Sequence, residues 1–241
     1  MTRVKMKKPI YKRIVLKLSG EALEGDRGFG IDPKTIASIA QQIKDVRALG
    51  VDIVCIIGGG NFFRGVEGEK NGIDRATADY IGMLGTVQNS LVLRDYFESQ
   101  DVDARVSSAI GMRRVCSEMM QDEVEKHLSK GRIVIFAAGL GAAYFSTDSN
   151  AVQRALEIGA EMLVMAKNGV DGIYSADPRT DPNAKKIDRI TCAEVLAKEL
   201  KVADASAIAL ARENKLPIKI VAMDAITSVF DDKIGSVIDP V

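Results

Sequence analysis

The stretch Asp52–Gly65, DIVCIIGGGNFFRG, constrains this chain more than any other. Val54–Ile57 is a short apolar run rich in β-branched residues, the pattern of a strand buried on both faces of a sheet. It leads without a break into Gly58, Gly59 and Gly60. Lacking Cβ atoms, such a turn lets the backbone come close to a ligand and aim several N–H groups at it. Arg64 follows, within reach of an anion held by those amides. Strand, glycine turn and cation suit a phosphate site. A tight surface turn beside a solvated arginine is the alternative reading of the same residues.

The arrangement recurs. RIVLKL at Arg13–Leu18 reads as a first strand, ending in Lys17, Ser19 and Gly20, and RIVIFAA at Arg132–Ala138 runs into GLGAAYFSTDS at Gly139–Ser149. Val102–Ala109, Met162–Ala166 and Pro217–Ala222 read as further strands, with an edge strand from the last residues. Helices are expected between them. One opens at Asp32-Pro33 and carries Ile36, Ile39, Ile43 and Val46 to a stop at Gly50. A long one spans about Asp74 to Glu98, with Ile81, Leu84, Val87 and Leu91 on one apolar face. Others are expected at Glu118–Leu128, from the FSTDS loop to about Ile158, at Cys192–Leu200 and at Ala205–Asn214. Glu21–Ile31, with room for a short hairpin, and Val66–Ile73 read as loops, and Gly169–Pro182 as a series of turns. Strands alternating with helices predict an α/β fold, a mainly parallel sheet sandwiched by helices on both faces. In such sheets ligands sit at the carboxyl ends of the strands, so the glycine loops after Leu18, Ile57 and Ala138 can converge on one site.

Composition narrows the chemistry. Lys+Arg and Asp+Glu each number 33 in 241 residues, so no net field favours nucleic acid or a membrane surface. No run is long and apolar enough to span a bilayer. The basic start, Arg3, Lys5, Lys7 and Lys8, reads as a solvated terminus. Cys55, Cys116 and Cys192 show no close pairing and read as buried or idle thiols of a reducing cytoplasm. The sole histidine, His127, falls in a charged helical stretch and reads as a surface residue. Lysine, arginine, carboxylates and backbone amides are left to do the work. Two familiar phosphate loops are absent. No Gly-Lys dipeptide occurs, and where G-x-G-x-x-G would need its third glycine the chain has Pro33, Phe63 or Tyr144.

Phosphoryl transfer fits this inventory, because it asks mainly for positioning and charge neutralisation. Lys17 at a strand end can bridge phosphates, while amides near Gly20, Gly59 and Gly60 hold their oxygens. Thr147-Asp148 opens a helix, where N–H groups and dipole favour an anion. Asp148 and Asp204 read equally well as ordinary helix caps.

Four motifs then point to a family. LKLSGEAL at Leu16–Leu23, GGGNFFRG at Gly58–Gly65, FSTDS at Phe145–Ser149 and VDGIYSADP at Val170–Pro178 resemble the bacterial uridylate (UMP) kinases of the amino-acid-kinase superfamily. The resemblance runs from about Lys12 to Val221. It implies a single amino-acid-kinase-like domain over residues 1–241, with acceptor binding and oligomerisation in residues 12–160 and ATP binding in residues 161–241. It implies Lys17, Arg64, Asp148 and Asp204 as catalytic residues. Lys17, Leu18, Ser19, Gly20, Gly60, Arg64, Asn168, Tyr174 and Asp177 would hold ATP, although Tyr174 reads by itself as core packing. Gly59, Asp79, Leu140, Gly141, Ala142, Ala143, Tyr144, Phe145, Ser146 and Thr147 would hold UMP. Asp148 and Asp204 would orient Lys17 or act through Mg2+, with no all-protein metal site. Arg105 and Arg132, near the starts of their strands, would hold an effector nucleotide roughly 20 Å from the chemistry. GTP and UTP are the implied effectors, a homohexamer the implied assembly and the cytoplasm the implied location. GLGAAYF stands where many members read GTGNPFF, AKNGVDG where many read KATKVDG, and Ala203 where the usual residue is methionine. The acceptor loop is thus left with backbone hydrogen bonds at Leu140, Ala142 and Ala143. Rival readings are a superfamily relative that phosphorylates a carboxylate or carbamate, and a non-catalytic anion-binding protein on the same fold.

Overall fold

The computed structural model describes residues 7–241. Arg3 and Lys5 lie outside the described residues. Lys7 is not a free charge, since its ammonium pairs with Asp231 at 2.9 Å.

The first half of the chain runs β1 (Arg13–Leu18), α1 (Pro33–Arg47), β2 (Asp52–Ile57), α2 (Gly65–Lys70), α3 (Arg75–Glu98), β3 (Ala104–Ser108), β4 (Ser117–Glu118), α4 (Gln121–Ser129) and β5 (Ile133–Ala137). The second half continues with α5 (Thr147–Glu157), β6 (Met162–Lys167), β7 (Ile173–Tyr174), β8 (Lys186–Ile187), β9 (Arg189–Thr191), α6 (Cys192–Ala197), α7 (Ala205–Glu213), β10 (Ile218–Ala222) and β11 (Ser236–Asp239). One sheet of nine strands has the order β4-β3-β5-β2-β1-β6-β10-β11-β9. Every pairing in it is parallel except β10 with β11. The chain therefore has the mainly parallel α/β architecture that its alternating pattern predicts.

Period-two alternation sorts side chains between two cores. Ile14, Leu16 and Leu18 of β1 pack with α1 and α3 on one face, whereas Val15 packs with α4, α5, α6 and α7 on the other. Lys17 shares the phase of Val15, and Lys167 shares the phase of Leu163 and Met165, so both ammonium groups are directed to the α5 face. The strand order reverses at β1, which has β2 on one side and β6 on the other. A crevice is expected at the carboxyl ends of the strands flanking such a switch point. β5, β2, β1 and β6 are consecutive neighbours, so the three glycine loops do open side by side.

Local sequence explains the boundaries. Asp32 caps α1 by accepting from Thr35 N–H at 2.8 Å, and Asp74 caps α3 by accepting from Thr77 N–H at 3.0 Å. Several expectations need correction. Residues 20–27, read as loop, form a 3₁₀ helix kinked at Gly25. Residues 65–70, also read as loop, form α2, whose Gly68 lets the ring of Phe63 pack against it. The turns around 169–182 include β7, which pairs with β8 in a separate small hairpin. The final strand β11 is internal, because β9 covers its outer side. On α3, Ile81 and Leu84 are exposed, and the buried face is made of Ala78, Met83, Gly85, Thr86, Val87, Asn89, Ser90, Leu93 and Phe97. His127 is half-buried rather than on the surface. Burial and the neighbouring Arg132 and Arg105 charges hold its pKa below the ordinary imidazole value. Cys55 and Cys192 are buried and Cys116 half-buried, all as free thiols. Among the described residues, no helix is long and apolar enough to cross a membrane.

Candidate active site

At the carboxyl end of β1, Lys17 Nζ stands 2.9 Å from Asp148 Oδ1, with both side chains largely buried. Asp148 is not the cap of its helix. Ser146 takes that role, accepting from Ser149 N–H at 3.1 Å, and leaves the Asp148 carboxylate free to turn toward Lys17. Burial alone would raise the Asp148 pKa. The charges of Lys17 and Lys167 outweigh it, with the Asp204 main-chain amide assisting, and hold the carboxyl below its usual range. Asp204 precedes α7, but its side chain makes no capping bond. Asp148, Lys167 and Asp204 all line one cavity of about 660 Å³.

Lys167 is not singled out by the sequence motifs, and it is the main charged residue that the structure adds to this cluster. It ends β6, one register step past the pair Leu18–Ala166. Burial pushes its pKa down from the ordinary lysine value, opposed by Asp148. It lines the cavity just described and also a second one of about 620 Å³, bounded by Asn168, Tyr174, Arg179 and Met223. A lysine ending an apolar strand in the phase of Lys17 was the available signal. Two of the three residues expected to hold ATP beyond β6, Asn168 and Tyr174, line this second cavity. Tyr174 donates from its hydroxyl to Asp171 at 2.6 Å, so it is not simple core packing. Asp177 is turned to Arg179, at 2.9 Å, beside the cavity wall.

The glycine turn is built for close approach of backbone to backbone. None of Gly58, Gly59 and Gly60 has a positive φ. A Cβ on Gly20 would collide with the Gly58 carbonyl, and one on Gly59 with the Gly82 carbonyl of α3. The turn is fixed by a reciprocal pair of buried amides. Asn61 donates to Gly30 O at 2.7 Å and to Asn89 Oδ1 at 2.9 Å, and Asn89 donates to Gly58 O and Asn61 Oδ1, each at 2.7 Å. Gly59→Ala is therefore expected to overpack the turn against α3 and lower stability by about 1–3 kcal/mol. Urea unfolding measures this, and a loss below about 0.5 kcal/mol would show that the helix simply moves away. Arg64 lies just beyond, half-exposed, bonded to Glu21 at 3.0 Å and near Glu67 at 3.8 Å.

The loop after β5 is tied to α3. Asp79 accepts from Tyr144 N–H at 2.8 Å and pairs with Arg75 at 3.0 Å. The Arg75 guanidinium lies 5.5 Å from the Tyr144 ring centre. Leu140, Gly141, Ala142 and Ala143 are half-buried, and Tyr144, Phe145 and Ser146 are exposed. Thr147, in the first turn of α5, approaches Gly58: its hydroxyl would lie 3.6 Å from a Cβ placed there. Leu18, Ser19, Gly20, Gly58, Gly59 and Thr147 thus border the same strand ends as Lys17. Arg105 and Arg132 stand apart from this cluster. They open neighbouring strands at the opposite end of the sheet, and both approach Asp103, at 3.7 and 3.2 Å.

The amino acid kinase family matches residues 12–222 of the chain. The uridylate kinase of Pediococcus pentosaceus is 52% identical over 210 residues, 87% of either protein. That of Streptomyces avermitilis is 50% identical over 230 residues, 94% of this chain and 91% of the relative. The crystal structure of UMP kinase from Bacillus anthracis superposes with a TM-score of 0.90 at 35% identity, covering 95% and 96% of the two chains. With Lys17, Asp148, Lys167 and Asp204 gathered beside a glycine turn at the carboxyl ends of the central strands, the chain belongs to the amino acid kinase family, in its uridylate kinase branch.

Proposed function

We propose that the protein transfers the γ-phosphoryl group of Mg-ATP to UMP, giving UDP and ADP. The observation that carries this reading is the Lys17–Asp148–Lys167 cluster at the switch point of the sheet, between an acceptor loop on β5 and a nucleotide-sized cavity beyond β6. Mg-ATP supplies the phosphoryl group, and the metal neutralises part of its charge when bound. Two lysines in a low-dielectric crevice stabilise charge that develops on the transferred group, and they need no reorganisation as it does so. Asp148 keeps both ammonium groups aimed at the crevice. No general base is required of the protein, because the acceptor phosphate can be dianionic near neutral pH.

Among the described residues no group of three or more metal-ligating side chains exists. Mg2+ is commonly held by one or two carboxylates together with substrate phosphates and water. Asp148 and Asp204, sharing one cavity, are the residues that would hold it. Adenosine is assigned to the cavity of Asn168 and Tyr174, with Asp177 at its rim. Ser19, Gly20 and Gly60 amides and Arg64 are assigned to the phosphates. UMP is assigned to Gly59, Asp79 and the loop Leu140–Thr147, so residues 12–160 serve the acceptor and 161–241 the donor.

ADP release on adding UMP to protein and Mg-ATP tests the reading, with kcat/KM for UMP expected to exceed that for CMP strongly. A site that hydrogen-bonds the uracil edge leaves buried groups unpaired when cytosine replaces it. Turnover of a carboxylate or carbamate but not of UMP would overturn the reading. We further propose a cytoplasmic homohexamer that uses the exposed Tyr80, Ile81 and Leu84 of α3. GTP would activate it and UTP inhibit it, with GTP at the Arg105–Arg132 end. Light scattering at micromolar concentration and the GTP response of Arg105→Ala/Arg132→Ala test these, a monomer or an unchanged response counting against them.

A further inference from the structure

Two side chains outside the lysine–aspartate cluster hold the start of the β5 loop from opposite faces of the sheet. On the α3 face, Thr86 Oγ1 accepts from Ala138 N–H at 2.8 Å while donating to Met83 O at 2.6 Å. On the α5 face, Arg154 donates from Nη2 to the carbonyl of Gly139 at 3.4 Å. Arg154 is only 8% exposed. Its guanidinium lies 5.7 Å from the Phe136 ring centre and pairs with Glu157 at 2.6 Å, and its Nε has no partner. Burying a guanidinium is costly unless the charge is paired and bonded. Its charge is paired through Nη1, which also donates to Met119 Sδ at 3.5 Å, while Nη2 is spent on a loop carbonyl.

The peptide so held is unusual. Ala138 and Gly139 both adopt left-handed backbone, at φ 61 and 58. A non-glycine residue persists there only where its surroundings over-determine it. Two residues on, Gly141 presses against Ala109: a Cβ would lie 3.0 Å from that carbonyl. Rotation about Ala138–Gly139 would therefore swing the amides from Leu140 to Ala143. The far end is tied separately, through Tyr144 N–H to Asp79.

We propose that Thr86 and Arg154 form a two-sided clamp of positioning residues that aims the acceptor loop at the nucleoside monophosphate. The clamp rests on the acceptor reading of that loop. It predicts selectivity between substrates, because the cavity assigned to ATP lies beyond β6, three strands from β5 in the order β5-β2-β1-β6. A role in folding alone would not distinguish the two nucleotides.

The test uses Thr86→Val, Thr86→Ser and Arg154→Lys in the full chain. Calorimetry gives Kd for UMP alone and for a non-hydrolysable ATP analogue alone, and steady-state kinetics give both KM values. Misplacing a reacting group by about 1 Å can cost 10²-fold. UMP binding and KM are expected to weaken about 10–100-fold in Thr86→Val and Arg154→Lys, with ATP constants within about twofold and Thr86→Ser close to wild type. Folded variants that weaken both nucleotides in parallel, or neither, would overturn the clamp. Should Arg154→Lys fail to fold, the threonine pair decides: Val and Ser behaving alike also overturns it. A wild-type protein that does not bind UMP overturns the acceptor reading and the clamp with it.

Discussion

Lys17→Ala is expected to lower kcat by at least about 10²–10³-fold while leaving the fold intact. A preorganised donor aimed at developing charge in a water-poor site is worth roughly 3–4 kcal/mol, and each 1.36 kcal/mol is tenfold in rate. Lys17 meets the conditions for the upper part of that range. It is only 9% exposed, it is the penultimate residue of the central strand, and its Nζ is fixed at 2.9 Å from Asp148. The alanine variant should remain folded, because the strand phase that directs position 17 toward α5 does not depend on the ammonium. Lys167 also stays beside the carboxylate to offset its charge. A coupled ADP assay with saturating UMP and Mg-ATP measures the effect, with thermal unfolding as the control. Activity within about threefold of wild type would remove Lys17 from the mechanism.

Much of this was legible in the chain, for reasons that differ from element to element. The strands announced themselves because parallel strands covered on both faces are continuous apolar runs, as Val54–Ile57 and Ile133–Ala137 are. Both ends of α3 were legible, and of its expected apolar face Val87 and Leu91 do pack on the core while Ile81 and Leu84 do not. Ile81 and Leu84 face outward, while Gly85, Thr86, Asn89 and Ser90 face in. Thr86 and Asn89 find hydrogen-bond partners at Ala138, Gly58 and Asn61, Gly85 admits the close approach of Gly59, and Ser90 bonds back to Thr86 O. Helical periodicity of apolar residues cannot register such an interior. The same limit hid α2, whose glycines read as loop although Gly68 is there to admit Phe63. Lys17 and Asp148 stood out because they lie in the LKLSGEAL and FSTDS motifs, and Asp204 because it opens a helix. Lys167 was passed over because it merges into the strand MLVMAK, and only the pairing of β6 with β1 brings it beside the other charges.

Asp148→Asn is expected to destabilise the protein by about 3 kcal/mol at pH 7, the cost of removing one partner from a largely buried ion pair. Its pH dependence distinguishes this cause from simple loss of packing. In the wild type the Asp148 pKa lies below the ordinary carboxylate value of 3.8, because the lysine charges outweigh its burial. Its contribution is therefore complete above that ordinary value and is lost as pH falls through the depressed one. In the asparagine variant two ammonium groups face each other with no carboxylate between them. The Lys167 pKa, already lowered by burial and raised only by Asp148 and Asp204, moves further below 10.5. A lysine with a depressed folded-state pKa destabilises while it must carry its proton, and the penalty is relieved as pH rises through that pKa. The gap between variant and wild type should be widest near neutrality and narrow as pH rises toward the lowered Lys167 pKa. Urea unfolding at pH 5, 7 and 9 measures it. A gap of constant size across that range would mean that Asp148 matters through shape alone, and that Lys17 and Lys167 do not share its charge.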